Sequence, residues 1–306
     1  MARPGVVKAP SNRVRADFTL LLVSLIWGSA FVAQRFAAPR MDVFLFNGTR
    51  FLVGALVLLP LVGGRLRDLK RSDLPGIGLA GTLLFGGAAL QQMGLRTTTA
   101  ANAGFITGLY VVLIPLILAI GWRQRPQPRI WIAASLAGAG MFLLSTGGSL
   151  ALAPGDLLVF LGAILWALHV IVIGLLVHRM GVIQLATGQY IVCGLLNLLL
   201  FSLVGQRIPG GGLPQAWWAV VYTGVLSIGI GYTLQGYGQK EAPPADAAII
   251  LSMEAVFAAL FGWVLLGETL SAIQLVGCTF MVTGMVLSQV SVVLMGSKER
   301  TANRRP

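Results

Sequence analysis

The chain repeats one of its own segments, and this repeat limits its possible folds more than any other feature does. The segment Leu234–Lys240 matches Leu90–Arg96, which lies 144 residues earlier. The same offset places Asp246 on Asn102 without a gap. Each copy contains the end of one apolar run, a short polar turn and the start of another run. A period this long indicates a duplicated half-protein and not a solenoid of short units.

The apolar residues occur in runs of about 20, the length that a helix needs to cross a bilayer. The chain is 56% hydrophobic and 10% charged, which is too little charge for a soluble surface. We therefore predict an all-α, polytopic membrane protein in contact with the lipid bilayer. The predicted spans are ten helices at about 18–36, 43–62, 74–94, 102–122, 130–146, 155–176, 183–204, 216–236, 246–266 and 271–293.

The net charge of +12 raises the question of a nucleic-acid partner, but the distribution of the charge argues against one. Nearly all Lys and Arg residues lie in the termini and in the short segments between apolar runs. With the N-terminus inside the cell, seventeen basic residues are cytoplasmic, whereas Arg35, Arg40, Arg96 and Arg207 are outside. Because cytoplasmic loops carry an excess of Lys and Arg, we expect an inner-membrane protein with both termini in the cytoplasm and no nucleic-acid partner.

The repeat divides the chain into four parts. Residues 1–16 show no helical periodicity and are expected to form a disordered, basic cytoplasmic arm. Residues 17–146 and 147–293 are the two five-helix repeats, and residues 294–306 form a basic cytoplasmic tail.

The odd number of spans in each repeat predicts that the second copy is inverted relative to the first. The first and sixth runs correspond, because Asp17 precedes Trp27 by ten residues, as Asp156 precedes Trp166. Inverted repeats are typical of secondary transporters, in which two antiparallel halves rock about a central site. This pattern predicts a transporter of a small molecule but does not identify the molecule.

Two tryptophans lie near the middle of predicted helices, where an indole N–H needs a partner or a cavity. They are Trp27 and Trp166, which occupy equivalent repeat positions, and His169 follows Trp166 by one turn. Indole and imidazole groups suit a ligand with an apolar body and polar ends, so these three residues are candidates for a substrate cavity. Filling of the core by the tryptophans and an interhelical hydrogen bond from His169 are the alternatives.

Polar residues also recur on matching faces of the third and eighth predicted helices. Gln91 lies between Gly87 and Gly94 on one face, and Gln235 occupies the equivalent place in the second repeat. Glycines at this spacing allow close helix packing, with the glutamines bonded to neighbouring backbone. The other interpretation is a polar strip beside a cavity, and we include Gln91 among the candidate cavity residues.

Few ionisable residues lie inside the predicted spans, and each is therefore a functional candidate. Glu254 is the best candidate for a carboxylate that carries a proton, and its repeat counterpart Tyr110 is expected near the cavity. The alternative role for Glu254 is a structural bond to another helix. Arg50 either binds a substrate carboxylate or extends outward to the interface. Glu268 lies at the end of a span, where a role in helix capping is favoured.

Several motifs of other protein classes do not occur in the sequence. It has no Walker A loop, paired zincin histidines, nucleophile elbow or acidic metal cluster. We therefore expect no metal, no cofactor, no ATP-driven pumping and no enzymatic activity. Two other classes stay open: a membrane-embedded enzyme, for which His169 and Glu254 are the available pair, and a passive pore.

Three segments make the sequence resemble the drug/metabolite transporter superfamily, and in particular its ten-helix exporters built from two EamA-type domains. They are residues 27–31 (Trp-Gly-Ser-Ala-Phe), Arg50-Phe51 and the stretch from Glu254 to Glu268. The resemblance covers residues 18–293. Two departures are Ala255, where the family usually has proline, and Gly121-Trp122-Arg123, which replaces a Leu-Gly-Glu ending in the first repeat.

Within the superfamily, the chain is most similar to bacterial exporters of aromatic and apolar amino acids. The resemblance implies a secondary transporter that exports amino acids or related amphipathic metabolites by alternating access. A broad drug or metabolite exporter and a facilitator of another substrate class are the alternatives. Because the superfamily shares positions like Arg50 and Glu268 across different substrates, the resemblance implies a structural role for them, and we expect the same of Gln235.

Overall fold

A computed structural model of the protein describes residues 10–63, 69–98, 103, 106–121, 123–124, 126–146, 154–205, 212–266 and 271–302. All regular secondary structure in these residues is helical. The helices are α1 (Pro10–Ala37), α2 (Val43–Val62), α3 (Leu74–Gly94), α4 (Tyr110–Gly121), α5 (Pro128–Thr146), α6 (Asp156–Leu176), α7 (Val182–Val204), α8 (Leu213–Gln239), α9 (Pro244–Leu251 and Glu254–Leu266) and α10 (Ala272–Ala302).

The helices have the length and composition of membrane spans. Within the described residues, seven helices are long and apolar enough to cross a bilayer: α1, α2, α3, α6, α7, α8 and α9. The helices at Ile106–Gly121, Pro128–Leu144 and Ala272–Leu287 are apolar but shorter. Large apolar side chains such as Ile120 (72% exposed) and Leu56 (61% exposed) lie on the outer surface, where lipid tails can cover them. The protein is therefore a polytopic helical membrane protein.

Helix bounds agree with the predicted ones at several runs and differ at the two ends of the chain. The helices α2 and α3 begin and end at the predicted residues, and α6 and α7 do so within one residue. At the N-terminus, α1 begins at Pro10, so the prediction of a disordered arm is wrong for residues 10–16. At the C-terminus, α10 continues through residues 294–302 of the predicted tail. Residues 1–9 lie outside the described part of the chain.

Among the described residues, α8 and α9 depart from regular α-helical geometry, and the helical stretch Ile106–Gly121 is likewise interrupted at Leu109. In α8 the segment Thr223–Tyr232 is a π-helix, which has more residues per turn than an α-helix. The helix α9 is interrupted at Ser252 and Met253, where the Ser252 hydroxyl donates a hydrogen bond to the Ile249 carbonyl. Glu254 therefore begins the second segment of α9.

The main helix contacts recur when each helix is exchanged for the one five places along the chain. The pairs α2–α7, α4–α9 and α5–α10 each join a helix to its own counterpart. The contact of α3 with α6 corresponds to that of α8 with α1, and the contact of α4 with α6 corresponds to that of α9 with α1. The contact of α3 with α7 likewise corresponds to that of α8 with α2. The main helix contacts are thus matched between the two halves of the chain.

Candidate functional site

A small cavity lies where the helices of the two halves of the chain meet. Its volume is about 50 Å³. The lining side chains come from α1, α2, α3, the segment just before α4, α4, α6, α8 and α9. They are Trp27, Phe31, Gln34, Arg50, Gln91, Thr107, Tyr110, Trp166, His169, Val170, Ser227, Tyr232, Gln235 and Glu254. All five residues that the sequence predicts for the substrate cavity are in this set, together with Glu254.

An aromatic cluster forms one part of the wall, and Tyr232 is at its centre. The Tyr232 ring centroid lies 4.6 Å from that of Trp27 and 6.0 Å from those of Trp166 and His169. The Trp166 and Tyr232 rings are nearly parallel, with an interplanar angle of 19°, whereas His169 meets Tyr232 edge-on. The cluster provides flat apolar surfaces on more than one side of the cavity.

Each cavity tryptophan packs against a glycine in the other half of the chain. A Cβ atom added to Gly87 would lie 3.0 Å from the Trp166 ring, and one added to Gly231 would lie 2.7 Å from Trp27 Nε1. These two glycines are equivalent in the repeat, as are the two tryptophans. The glycines on the faces of Gln91 and Gln235 therefore make room for the rings, so the packing and cavity interpretations of these faces are compatible.

Tyr110 and Glu254, which are repeat counterparts, contact each other directly. The Tyr110 hydroxyl donates a hydrogen bond of 3.2 Å to Glu254 Oε1. Both side chains are buried, with 4% and 8% of their surfaces exposed. Their bond joins α4 to α9.

His169 has one nitrogen bonded to a neighbouring helix and the other beside the cavity. Its Nε2 lies 2.8 Å from Gln189 Oε1 on α7, and because this oxygen accepts, Nε2 is the donor. Nδ1 is buried and has no hydrogen-bond partner among the described residues, and the same is true of Trp166 Nε1. The interhelical bond expected for His169 is present, and the residue also contributes an acceptor to the wall.

The cavity glutamines present further polar atoms. Gln91 Nε2 donates to Thr107 Oγ1 over 2.9 Å, and Gln235 Nε2 donates to Gln239 Oε1 over 3.0 Å. Buried oxygens without a hydrogen-bond partner among the described residues include Gln34 Oε1 and Gln235 Oε1. Since such atoms cost free energy unless something bonds to them, the wall is suited to a ligand with both donor and acceptor groups.

Arg50 is buried at the cavity and does not extend to the membrane interface. Only 3% of its surface is exposed. Its Nε donates to Asn47 Oδ1 over 3.0 Å, and its guanidinium carbon lies 5.0 Å from the Phe46 ring centroid and 5.3 Å from that of Phe51. Of the two positions considered from the sequence, the outward one is therefore wrong.

The structure adds cavity residues that the sequence analysis did not identify, and Tyr232 is the most important of them. The repeat gives no signal for this residue, because its counterpart in the first half is Ala88. Helical spacing also fails here, since Ser227 and Tyr232 reach the same cavity at a separation of five residues in a π-helical segment. The pair proposed for an enzyme, His169 and Glu254, lines the cavity, but the two side chains bond Gln189 and Tyr110. Glu268 lies outside the described residues.

Polar contacts join the helix ends on either side of the cavity. At one end, Arg13 Nε lies 2.9 Å from Asp17 Oδ1, and Arg13 Nη2 lies 2.9 Å from Asp246 Oδ2 at the start of α9. At the other end, the Thr98 hydroxyl donates to the carboxylate of Asp156 at the start of α6. Asp17 and Asp156 are repeat counterparts. Through Arg13, the carboxylate near the start of α1 is therefore connected to α9, and the carboxylate at the start of α6 is bonded to the segment after α3.

The size of the cavity limits what it holds in this conformation. Ligand pockets in proteins usually have volumes of about 300–1,000 Å³, whereas about 50 Å³ accommodates a few water molecules. Its lining nevertheless combines aromatic rings, unpaired acceptors and ionisable groups that include Arg50, His169 and Glu254. The cavity would therefore have to expand to receive a small molecule.

Comparisons with known proteins agree with this architecture. The EamA-like transporter family matches the chain twice, at residues 14–146 and 153–289. A protein of known crystal structure superimposes with a TM-score of 0.75 over 94% of this chain and 99% of its own, at 20% sequence identity. The structural similarity at this identity establishes the fold alone.

Proteins with similar sequences are named as transporters. An uncharacterized transporter of Archaeoglobus fulgidus is 32% identical over 283 residues, which cover 92% of this chain and 88% of that protein. The threonine/homoserine exporter RhtA of Escherichia coli is 26% identical over 309 residues, with coverage of 94% and 96%. YedA, an uncharacterized inner membrane transporter of Escherichia coli, is 23% identical over 282 residues, with 90% of each chain covered.

Proposed function

Because the chain belongs to the EamA-like transporter family, we propose that it is a secondary transporter that exports aromatic or apolar amino acids, or related amphipathic metabolites, across the inner membrane. The similarity to RhtA, a threonine/homoserine exporter, supports amino acids as the substrate class. The similarity to YedA supports the inner membrane as the location. The aromatic rings and the unpaired polar atoms of the cavity suit a substrate that is apolar at one end and charged or polar at the other.

The proposal includes ten membrane spans in two inverted repeats, with both termini in the cytoplasm. Two matches to one family over successive halves of the chain support a duplication. Two contacts each join residues that are predicted to lie on the same side of the membrane. The Arg13 side chain donates to the Glu241 carbonyl on the predicted cytoplasmic side, and the Gly212 backbone donates to the Arg40 carbonyl on the predicted outer side. The matched helix contacts of the two halves are those that antiparallel halves would produce.

The observation that carries the proposal is the position of the cavity between the two halves of the chain. Tyr110 and Glu254 meet there, and Trp27 and Trp166 each pack on a glycine of the opposite half. If one half tilts against the other, these contacts change together, and the site becomes accessible from one side at a time. The small present volume fits a contracted state between the two open ones.

Energy coupling is assigned to Glu254. A carboxylate within a membrane span is costly when ionised and can exist there in protonated form. Glu254 lines the cavity and accepts a hydrogen bond from the neutral Tyr110 hydroxyl. In this proposal the carboxylate gains and loses a proton as the site faces each side. A protein that does not couple to protons would be a facilitator driven by the substrate gradient.

The test is counterflow in proteoliposomes that contain the purified protein. Vesicles are loaded with an unlabelled amino acid and diluted into the same labelled amino acid, with and without a pH gradient. We expect accumulation of label for apolar or aromatic amino acids, and a change in its rate when the gradient is imposed. Saturable counterflow of drugs or other metabolites, with none for any amino acid, would contradict the proposed substrate class.

A pair of tryptophan variants tests the cavity. Trp166→Ala should reduce the counterflow rate roughly fivefold, because an aromatic contact contributes about 1 kcal/mol and a factor of ten corresponds to about 1.4 kcal/mol. Trp263→Ala is the matched control, since Trp263 is 56% exposed on the outer surface, and it should transport normally. Equal transport by the wild type and Trp166→Ala would remove this residue from the site.

A further inference from the structure

One residue of the cavity wall, Arg50, is a buried cation. Arg50 is buried, lines the cavity, and has no carboxylate within 4 Å among the residues that the structure describes. An arginine side chain stays protonated in proteins. Burying such a charge without a partner costs several kcal/mol even after local relaxation, and the cost is greatest inside a membrane. The position of Arg50 therefore requires an explanation that its packing does not supply.

The guanidinium is positioned so that most of its donors are unused by the protein. It has five N–H groups, and the one hydrogen bond in the described structure joins Nε to Asn47 Oδ1. The Phe46 and Phe51 rings lie on the same guanidinium at 5.0 and 5.3 Å from its carbon. Asn47 and the rings thus orient the group, while the terminal Nη atoms remain available for a planar anion.

The second half of the chain offers a direct comparison. Tyr190 occupies the repeat position of Arg50, and its hydroxyl lies 3.1 Å from Thr233 Oγ1. Tyr190 is fully buried and does not line the cavity. The two halves therefore differ at this position. The second half has Tyr190, a neutral side chain with a hydrogen-bond partner, whereas the first half has Arg50, a charged side chain without a carboxylate partner among the described residues. Only the first half can bind an anion at this position.

From these observations, we propose that Arg50 binds the carboxylate of the transported molecule through its Nη groups, so that the substrate must carry a carboxylate. This inference rests on the proposed function and refines it. The carboxylate and guanidinium form two parallel charge-assisted hydrogen bonds. The Phe51 ring lies between the Arg50 guanidinium and the aromatic cluster, and its centroid is 6.3 Å from that of Tyr232. The cluster around Tyr232 then receives the apolar part of the same molecule. Arg50 is thereby a binding residue rather than the structural one that the sequence suggests.

The experiment compares an amino acid with its amide in the wild-type protein. Counterflow of labelled L-phenylalanine is measured against unlabelled L-phenylalanine or L-phenylalaninamide, which keeps the ammonium and the ring but lacks the negative charge. If another amino acid is the better substrate, that amino acid and its amide are used. Loss of a hydrogen-bonded ion pair is expected to weaken competition roughly 10- to 100-fold. Equal competition by the amide would overturn the inference and leave the transporter proposal intact.

Variants then assign the discrimination to Arg50. In the Arg50→Gln variant, the amino acid and its amide should compete almost equally. The Arg50→Lys variant should retain part of the preference for the acid, because the positive charge remains. Arg40→Gln is the control, since Arg40 is exposed and its guanidinium carbon lies 3.9 Å from the Phe36 ring centroid outside the cavity. An unchanged acid preference in Arg50→Gln would overturn the assignment. Absence of counterflow for every amino acid in the wild type is a different result, and it would overturn the proposed function together with this inference.

Discussion

At the scale of single residues, the hydrogen bond from Tyr110 joins the proposed coupling group, Glu254, to the other half of the chain. We predict that Glu254→Gln keeps counterflow but loses the response to a pH gradient, because an amide cannot carry the proton. Tyr110→Phe is the matched variant, since it removes the hydroxyl and leaves the carboxylate in place. It should keep the response. The measurement is the initial rate of amino-acid uptake in proteoliposomes at a series of imposed gradients.

Two results would count against this role of Glu254. A response that survives in Glu254→Gln would assign proton coupling to another group. A wild-type protein that transports amino acids but never responds to the gradient would be a facilitator, and Glu254 would then be a structural partner of Tyr110.

The sequence predicts the cavity residues well where the repeat or a strong residue preference supplies a signal. Trp27 and Trp166 were predicted because both copies place an indole near the middle of a helix, and the structure brings both to the cavity. Tyr232 has Ala88 as its counterpart, so comparison of the copies cannot indicate it. Whether Arg50 is buried or extends outward could not be decided from spacing, because it depends on how α2 packs against its neighbours.

At the scale of the helices, close contact of α1 with α9 places Trp27 and Glu254 at one site. A Cβ atom added to Gly28 would lie 2.7 Å from Phe257 Cβ and 2.8 Å from the Glu254 carbonyl oxygen. We predict that Gly28→Ala separates the two helices and destabilises the fold by roughly 1–3 kcal/mol. The measurement is the apparent melting temperature of the purified protein in detergent.

Gly78→Ala provides the control for this substitution. Gly78 lies in α3, and a Cβ atom added there meets nothing within 4 Å. The change should be neutral or slightly stabilising, because alanine favours a helix over glycine by about 1 kcal/mol. Equal melting temperatures for the two variants would show that the α1–α9 contact does not depend on a small residue at Gly28.

The contact between Arg13 and Asp246 ties the start of α1 to the start of α9 at the predicted cytoplasmic end. We predict that Asp246→Asn favours the state that is open to the cytoplasm, because it removes a charge-assisted hydrogen bond of roughly 1.5–3 kcal/mol. The measurement is the rate at which a thiol reagent modifies a cysteine placed at Ser227 in the cavity wall, in inside-out vesicles. Asp73→Asn, which alters a carboxylate bonded to the Lys70 backbone, should leave the rate unchanged. An unchanged rate in Asp246→Asn would contradict a closing role.

Helix positions could be predicted more accurately than the faces that the helices present. Runs of apolar residues determine where α2, α3, α6 and α7 begin and end, since lipid solvation acts on the whole run. A face, in contrast, depends on the number of residues per turn. Our prediction assumed α-helical spacing throughout α8, whereas Thr223–Tyr232 is π-helical. The helical start of α1 at Pro10 was missed for another reason, because these residues are polar and show no periodicity.

At the scale of the whole molecule, the proposed transport mechanism requires one five-helix unit that is present twice in opposite orientations. The cavity then lies between two equivalent halves, and Asp17 and Asp156 act at opposite ends. Family matches to both halves and the matched helix contacts support this arrangement. If the two copies ran in the same direction, the contacts at the two ends could not exchange in the way that alternating access requires.

The most direct measurement is the accessibility of two equivalent loop positions from outside the cell. Arg96 and Lys240 are repeat counterparts, and each is changed to cysteine in a protein whose own Cys193 and Cys278 are replaced by serine. A membrane-impermeant thiol reagent is then added to intact cells and to permeabilised cells. We predict that Arg96→Cys is labelled in intact cells and that Lys240→Cys is labelled only after permeabilisation. Labelling of both positions from the same side would contradict the inverted repeat and the transport mechanism built on it.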